Sequence, residues 1–358
     1  MQSKVENALQ IADVRTNGDR AWDLIVHDSR FYHRVISEGA LGLGESYMEG
    51  WWDCADLAQL FCKLLQARLE RSLTTNWTGV LAYLKARLGN LQGKLRAADN
   101  VHRHYDRGNS LYPNMLGQWM VYSSGNWEHA TTLDEAGEGK LDFVCRKLNL
   151  RAGQRVLDIG CGWGGFAKFA AQRYGVQVVG ITVSAEQVSL ARQICSDLPV
   201  EIRYQDYRDL TGSFDHVVSL GMFEHVGHKN YRRYMQIVRR CLQAGGHLFL
   251  NTIGADESGY GLNSWTEKYI FPGAVLPSMA QIGAAIDGIF LIQELRNWAE
   301  FYDRTLLAWF DNFHSNWNKL RTSYTEQFYR MWKYYLLSSA GAFRSEALQD
   351  WQIVLSCR

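Results

Sequence analysis

Val156-Leu157-Asp158-Ile159-Gly160-Cys161-Gly162-Trp163-Gly164-Gly165 is the stretch that decides the fold. An apolar run carries an aspartate near its end and then breaks into glycines at 160, 162, 164 and 165. That pattern predicts a strand running into a sharp turn and then a helix. Glycine lets the backbone turn tightly and approach a ligand closely. The spacing is G-x-G-x-G-G and not G-x-G-x-x-G, and the loop by itself does not choose among NAD, FAD and SAM (S-adenosylmethionine). Asp158, inside the strand end, is placed to fix the loop or a ligand amino group.

Further strands are predicted at Val176 to Ile181, Phe214 to Ser219 and His247 to Leu250, with another ending at Gln205-Asp206-Tyr207. Helical stretches separate them, at Ala185 to Cys195 and Tyr231 to Leu242. Apolar strands alternating with helices predict a parallel sheet covered on both faces. In a dinucleotide fold an acidic residue follows the glycine loop by about 20 residues and holds the ribose. Here Thr182 stands at that strand end and Gln187 follows on the next helix; a hydroxyl and an amide suit a nucleoside. Asp206 is placed to accept from an adenine amino group, with Tyr207 beside the ring. The plain alternative for this set is an ordinary polar cluster at strand ends. Glu224 follows the apolar run Val217-Val218-Ser219-Leu220 and points toward the carboxyl end of the sheet, where ligands bind; its plain alternative is an N-cap or a surface carboxylate.

The 358 residues favour two domains, and 47% hydrophobic against 21% charged residues describes a globular chain with a sizeable core. A net charge of +1 gives no global field for nucleic acid. The N-terminus lacks the apolar core of a signal peptide, and no apolar run approaches the roughly 20 residues of a membrane span. A cytoplasmic chain is expected. The seven cysteines form no C-x-x-C pair, so reduced thiols are expected, with no metal site. The 13 tryptophans fit a ring-rich core, or an aromatic pocket or membrane-facing rim.

Residues 1–85 read as a small, mostly helical domain, with Leu41-Gly42-Leu43-Gly44-Glu45-Ser46-Tyr47 as a turn leading to Trp51-Trp52. Residues 86–100 read as a basic linker and 101–358 as the catalytic domain, helical and aromatic-rich from about Met279. Lys85, Arg87, Lys94, Arg96, Arg103 and Arg107 mark a solvated linker or a contact with anionic headgroups, each worth roughly 1 kcal/mol near such a surface. Lys229, Arg232, Arg233, Arg239 and Arg240 leave the same two readings open for their helix.

Taken together, Asp158 to Gly165, Gly221-Met222-Phe223-Glu224-His225-Val226-Gly227, His104-Tyr105-Asp106 with Gly108-Asn109, Leu41 to Trp52 and Tyr269-Ile270-Phe271-Pro272 resemble cyclopropane-fatty-acyl-phospholipid synthases. The resemblance spans nearly the whole chain. It implies an α/β fold with a Rossmann-like, seven-stranded SAM-methyltransferase sheet, a small helical N-terminal domain, and a homodimer at the membrane surface. The implied reaction adds a methylene from SAM across a cis double bond of a phospholipid acyl chain. The implied SAM contacts are Tyr105, Gly160, Gly162, Thr182, Gln187, Asp206, Tyr207 and Leu220, joined by Asp158 from its strand-end position. The implied base is a bound bicarbonate, held in the family by a cysteine, a glutamate, a histidine, an isoleucine backbone and a tyrosine. The matching positions are Ser124, Glu224, Asn251, Ile253 and Tyr302, so cysteine has become serine and histidine asparagine. Both replacements can donate hydrogen bonds to an anion, but neither can become charged. Two product outcomes follow: a cyclopropane if the proton leaves the new methyl carbon, a methyl-branched alkene or methylene compound if it leaves a neighbouring chain carbon. A chain that only binds SAM or lipid is a further alternative, against which the intact glycine loop, Glu224 and Tyr302 weigh.

Overall fold

A computed structural model describes residues 1–69, 110–258 and 262–358. The basic stretch around the expected linker and the Tyr105 motif lie outside the described residues. Along the chain the first elements are helix α1 (Gln2–Ile11), strand β1 (Ile25–Val26), α2 (Arg30–Glu38), α3 (Ala40–Met48), β2 (Trp52–Asp53) and α4 (Leu57–Gln66). Next come α5 (Leu133–Lys147), β3 (Arg155–Ile159), α6 (Gly165–Tyr174), β4 (Gln177–Thr182), α7 (Ala185–Ile194), β5 (Val200–Tyr204) and β6 (Phe214–Leu220). They are followed by α8 (Tyr231–Cys241), β7 (Leu242–Gly254), α9 (Ser264–Tyr269), α10 (Met279–Ile286) and β8 (Phe290–Asn297). The last are α11 (Ala299–Ser315), α12 (Trp317–Leu320), α13 (Glu326–Arg344) and β9 (Gln349–Cys357).

The described residues fall into two compact units, one of residues 1–69, 262–272 and 303–348, the other of 110–258, 273–302 and 349–358. The division is not the contiguous one that composition suggested. Residues 262–272 and most of the aromatic-rich tail pack with the N-terminal residues, because α13 lays its apolar face on α3 and α4.

In that unit Tyr47, Trp52, Trp265 and Tyr334 form one ring cluster with centroids 4.5–6.4 Å apart. Arg330 ties it down, donating from Nε to the Tyr47 carbonyl (2.6 Å) and from a terminal nitrogen to the Trp52 carbonyl (2.9 Å). The segment expected as a turn, Leu41 to Tyr47, is helical and lies within α3. Its glycines serve packing: a Cβ on Gly42 would overlap the Arg34 carbonyl, and one on Gly44 the Trp265 indole.

The other unit is built on a seven-stranded sheet of order β5-β4-β3-β6-β7-β9-β8. β3 to β7 are parallel, while β9 runs antiparallel to both neighbours. Two strands thus lie within the tail expected to be helical. β8, Phe-Leu-Ile-Gln-Glu-Leu-Arg-Asn, is an edge strand with most residues in water, so its sequence lacks the buried-strand signature. From β3 the chain steps outward to β4 and β5, then returns to place β6 on the opposite side of β3. The crevice at the carboxyl ends of β3 and β6 is therefore the switch point, where open α/β sheets bind ligands.

Side chains alternate across each strand. Leu157, Ile159 and Val217 pack in one core layer, with α8. Val156, Val218, Phe249 and Val354 pack in the other, under Leu141, Phe143 and Val144 of α5. Asp158, Asn251, Asp350 and Gln352 continue this second face toward the carboxyl ends of the parallel strands.

Candidate active site

Register brings residues that the resemblance assigns to SAM to neighbouring strand ends. Asp158 pairs with Gly180 of β4 and Val218 of β6, Thr182 with Tyr204, and Leu220 with Asn251. Adjacent strands lie about 4.8 Å apart, so one small ligand can span these ends. Gly160 has φ +80°, and a Cβ there would meet the Met222 side chain at 2.8 Å. The glycine loop is thus pressed against the segment that carries Glu224. Its N–H groups at 160 and 161 donate to the Ile181 carbonyl (2.9 and 3.0 Å), fastening the turn to β4. Gly165 starts α6 so close to the Trp119 carbonyl that no side chain fits.

Asp158 is buried, and its Oδ2 has no hydrogen-bond partner among the described residues. Burial pushes its carboxyl up to about 7. A buried acceptor left open beside a glycine turn fits a bound amino group, as SAM would bring. Thr182 donates to Gln187 Oε1 (2.7 Å), and the Ser184 hydroxyl caps α7 by accepting from the Gln187 N–H (3.2 Å). Asp206 is paired with Arg208 (2.7 Å) and accepts its backbone N–H (2.8 Å). Tyr207 packs inward against Tyr234, centroids 5.2 Å apart, as part of the core layer.

The second half of the site is carboxylate chemistry. Glu224 sits in the short turn Phe223–His225, held by the stack of Phe223 on Tyr231 (4.2 Å) and by its own carbonyl, which accepts the Val275 N–H (2.9 Å). Its side chain is neither a cap nor on the surface but 5% exposed. Oε1 accepts the Ile253 N–H (2.7 Å), while Oε2 is buried with no hydrogen-bond partner among the described residues. Burial, helped by the charge of Asp350 and opposed by its own N–H, that of Ile253 and the Thr252 hydroxyl, pushes Glu224 up to about 7. A base with that proton affinity is matched to neutral pH.

Ser124 and Asn251 are not open donors. Both give their hydrogen bonds to Asp350, Ser124 Oγ to Oδ2 (2.5 Å) and Asn251 Nδ2 to Oδ1 (2.6 Å). Gln352 Nε2 adds a third donor to Oδ2 (2.8 Å). Lys140, wholly buried, reaches Asn251 Oδ1 (3.2 Å) and Ser124 Oγ (3.4 Å) and lies over the Trp298 ring at 4.9 Å. Burial pulls Lys140 down to about 8 and pushes Asp350 up, while their mutual attraction opposes both shifts. Tyr302, buried, lies one turn beyond Trp298, to whose carbonyl its N–H donates (2.9 Å); the Trp298 N–H in turn donates to the Asp350 carbonyl (2.7 Å).

Sequence reasoning did not find Lys140, Asp350 or Gln352. A signal for Lys140 exists: it stands between Ala136 and Val144, at four-residue spacing, in the buried stripe of a helix fixed at its start by the Thr132–Glu135 capping box. The bicarbonate that the resemblance implies does not fit these residues. The donors at 124 and 251 serve Asp350, and that at 253 serves Glu224.

Residues 92–353 match the family described as mycolic acid cyclopropane synthetase. The chain is 46% identical over 348 residues to the cyclopropane-fatty-acyl-phospholipid synthase of Escherichia coli (strain K12), covering 97% of this chain and 91% of that protein. It is 38% identical over 270 residues to a probable fatty acid methyltransferase of Pseudomonas putida, covering 72% and 68%. A solved mycolic acid cyclopropane synthase complexed with SAH and CTAB superposes with a TM-score of 0.68 at 27% identity, over 72% of this chain and 97% of that one. The chain therefore belongs to the cyclopropane-fatty-acyl-phospholipid synthase family of SAM-dependent enzymes.

Proposed function

We propose that this chain adds a methylene, taken from SAM, across a cis double bond of an unsaturated phospholipid acyl chain, giving a cyclopropane. The observation that carries this reading is the buried Glu224 carboxylate, one oxygen fixed by the Ile253 N–H and the other without a hydrogen-bond partner among the described residues, next to the glycine loop. SAM supplies an electrophilic methyl carbon when bound. Asp158 receives its amino group at the end of β3. Thr182 with Gln187 and Asp206 flank the nucleoside, with Gly160, Gly162 and Leu220 beside them, whereas the Tyr207 ring is taken up by the core; Tyr105, outside the described residues, enters this set only through the family resemblance. Once the alkene has taken the methyl carbon, the acyl chain carries a cation, which the ring-rich surroundings at Trp298 and Tyr302 suit. Glu224 then removes a proton from the transferred carbon, and the freed electron pair closes the ring.

A phospholipid substrate is presented by a membrane, so the reading includes peripheral binding at the cytoplasmic face and a homodimer. No helix among the described residues is long and apolar enough to cross a membrane. Of the basic residues on α8 that suggested a lipid contact, Arg232 and Arg240 donate to carbonyls of the chain itself, at Asp287 (3.0 Å) and Leu210 (3.0 Å). A second reading, C-methylation leaving a methyl-branched alkene or a methylene product, is favoured by one observation: positions 124 and 251 serve Asp350 rather than a free anion.

The test is incubation with SAM and vesicles of cis-unsaturated anionic phospholipid, with the product identified by proton NMR. Strongly upfield ring-methylene protons support the first reading. Retained vinyl signals with a new methyl group support the second, and absence of product refutes both.

A further inference from the structure

The polar cluster at the ends of β7 and β9 is a completed anion site whose anion belongs to the chain. Asp350 has no exposed surface, and three neutral donors, from Ser124, Asn251 and Gln352, converge on its two oxygens. The Lys140 ammonium stands behind two of those donors as counter-charge. A free anion has no room in this arrangement, on two counts. Taking the donors at 124 and 251 would strip Asp350 of two of its three donors and leave a buried carboxylate short of hydrogen bonds, a costly state. Settling beside Asp350 instead would put two negative charges together in a buried position, where their repulsion is weakly screened. The third expected donor, the Ile253 N–H, already holds Glu224.

We propose that the Asp350 carboxylate takes the place of a free bicarbonate in this chain, so that turnover needs no added anion and Glu224 receives the proton. Asp350 is then a positioning residue. It keeps Ser124 and Asn251 in place, and its charge raises the proton affinity of Glu224. The step balances without a co-reactant. A C–H bond of the transferred carbon breaks, its electron pair forms the second C–C bond to the cationic chain carbon, and the proton goes to Glu224 Oε2. The sulfonium has meanwhile become a neutral thioether, and Glu224 releases its proton to solvent between turnovers. This inference rests on the methylene-transfer reading above.

The experiment compares wild-type turnover in carbon-dioxide-stripped buffer with and without added bicarbonate, and titrates the wild-type protein with ¹³C-bicarbonate by NMR. The expected results are equal rates and no saturable binding. Asp350→Ala, which leaves the donors around a carboxylate-sized gap, is expected to lose about 10²-fold or more of the rate, the scale of a positioned acid–base device, and to regain rate with formate or bicarbonate. In Asp350→Asn the acidic limb of the rate profile moves to lower pH, a change that a merely structural role would not produce. A wild-type rate that falls on stripping and returns with bicarbonate, or saturable ¹³C-bicarbonate binding to the wild type, overturns the proposal. Neither wild-type measurement depends on a variant folding. If no product forms in any buffer, the functional reading fails, and the binding titration alone still decides the question of the anion.

Discussion

Replacing Lys140 by methionine isolates the attraction between its ammonium and the Asp350 carboxylate. Methionine keeps the length and apolar stem of lysine, so the buried stripe of α5 persists, and only the ammonium, with its contact on the Trp298 ring, is lost. Among the described residues Asp350 then keeps three neutral donors and no counter-charge in a wholly buried position. Breaking a buried pair by removing one partner costs about 3–5 kcal/mol. Three surviving donors place the expected loss at the lower end, about 3 kcal/mol. Adding Asp350→Asn to Lys140→Met removes the stranded charge and retains the amide oxygen as acceptor for two of the donors, so the double variant is expected to recover about 2 kcal/mol. The assay is hydrogen exchange of the β7 and β9 amides under native conditions, which reads the opening of the sheet itself and not of the helical unit. Four proteins, the wild type, both singles and the double, give the coupling energy. If the two single losses simply add in the double, to within about 0.5 kcal/mol, Lys140 and Asp350 are not a pair, and the ammonium is not the counter-charge of the cluster.

Glu224→Gln separates chemistry from stability. Product formation is expected to fall by at least about 10²-fold while SAM binding, followed by calorimetry, stays unchanged; undiminished turnover removes Glu224 from the reaction. The same variant tests burial. The Glu224 carboxyl lies at about 7 in the folded chain against an ordinary 4.5, so its favourable share of stability is fully present below 4.5 and is lost as pH rises through 7. At about 1.4 kcal/mol per pH unit the loss is about 3 kcal/mol, and the melting temperature of Glu224→Gln is expected to pull ahead of the wild type above pH 7 and to converge with it near pH 5. Parallel melting curves across that range refute the shift. For the glycine loop, Gly165→Ala drives a methyl into the Trp119 carbonyl, an overlap that no side-chain rotation relieves, and is expected to cost about 2–3 kcal/mol and weaken SAM binding. Gly137→Ala on α5, whose added Cβ meets its nearest atom at 3.5 Å, is expected to stabilise by up to about 1 kcal/mol; equal signs for the two variants in thermal melts would refute the packing argument.

The parts of this fold that sequence reading recovers are those whose causes are local. β3, β4 and β6 are each centred on a short apolar run because both faces of a central parallel strand are buried, and the glycine turn after β3 follows from backbone approach alone. Two kinds of feature escape it. Glycines at 42 and 44 look like a turn, and they are helical because Arg34 and Trp265 press against the helix there; the cause lies in residues up to 221 positions away, and period and propensity carry no trace of it. The anion cluster escapes in the same way and with more consequence. Serine at 124 and asparagine at 251 are legible as departures from a family pattern, and from sequence alone they read as a weakened site. Asp350 lies 226 residues from one and 99 from the other. Once it is placed between them, serine and asparagine are the neutral donors that a permanently resident carboxylate requires, where a chargeable histidine would have competed with Lys140 for it. A departure from a family pattern is then evidence of a compensating residue elsewhere, and the place to search for it is the strand that register sets beside the altered position, here β9 beside Asn251.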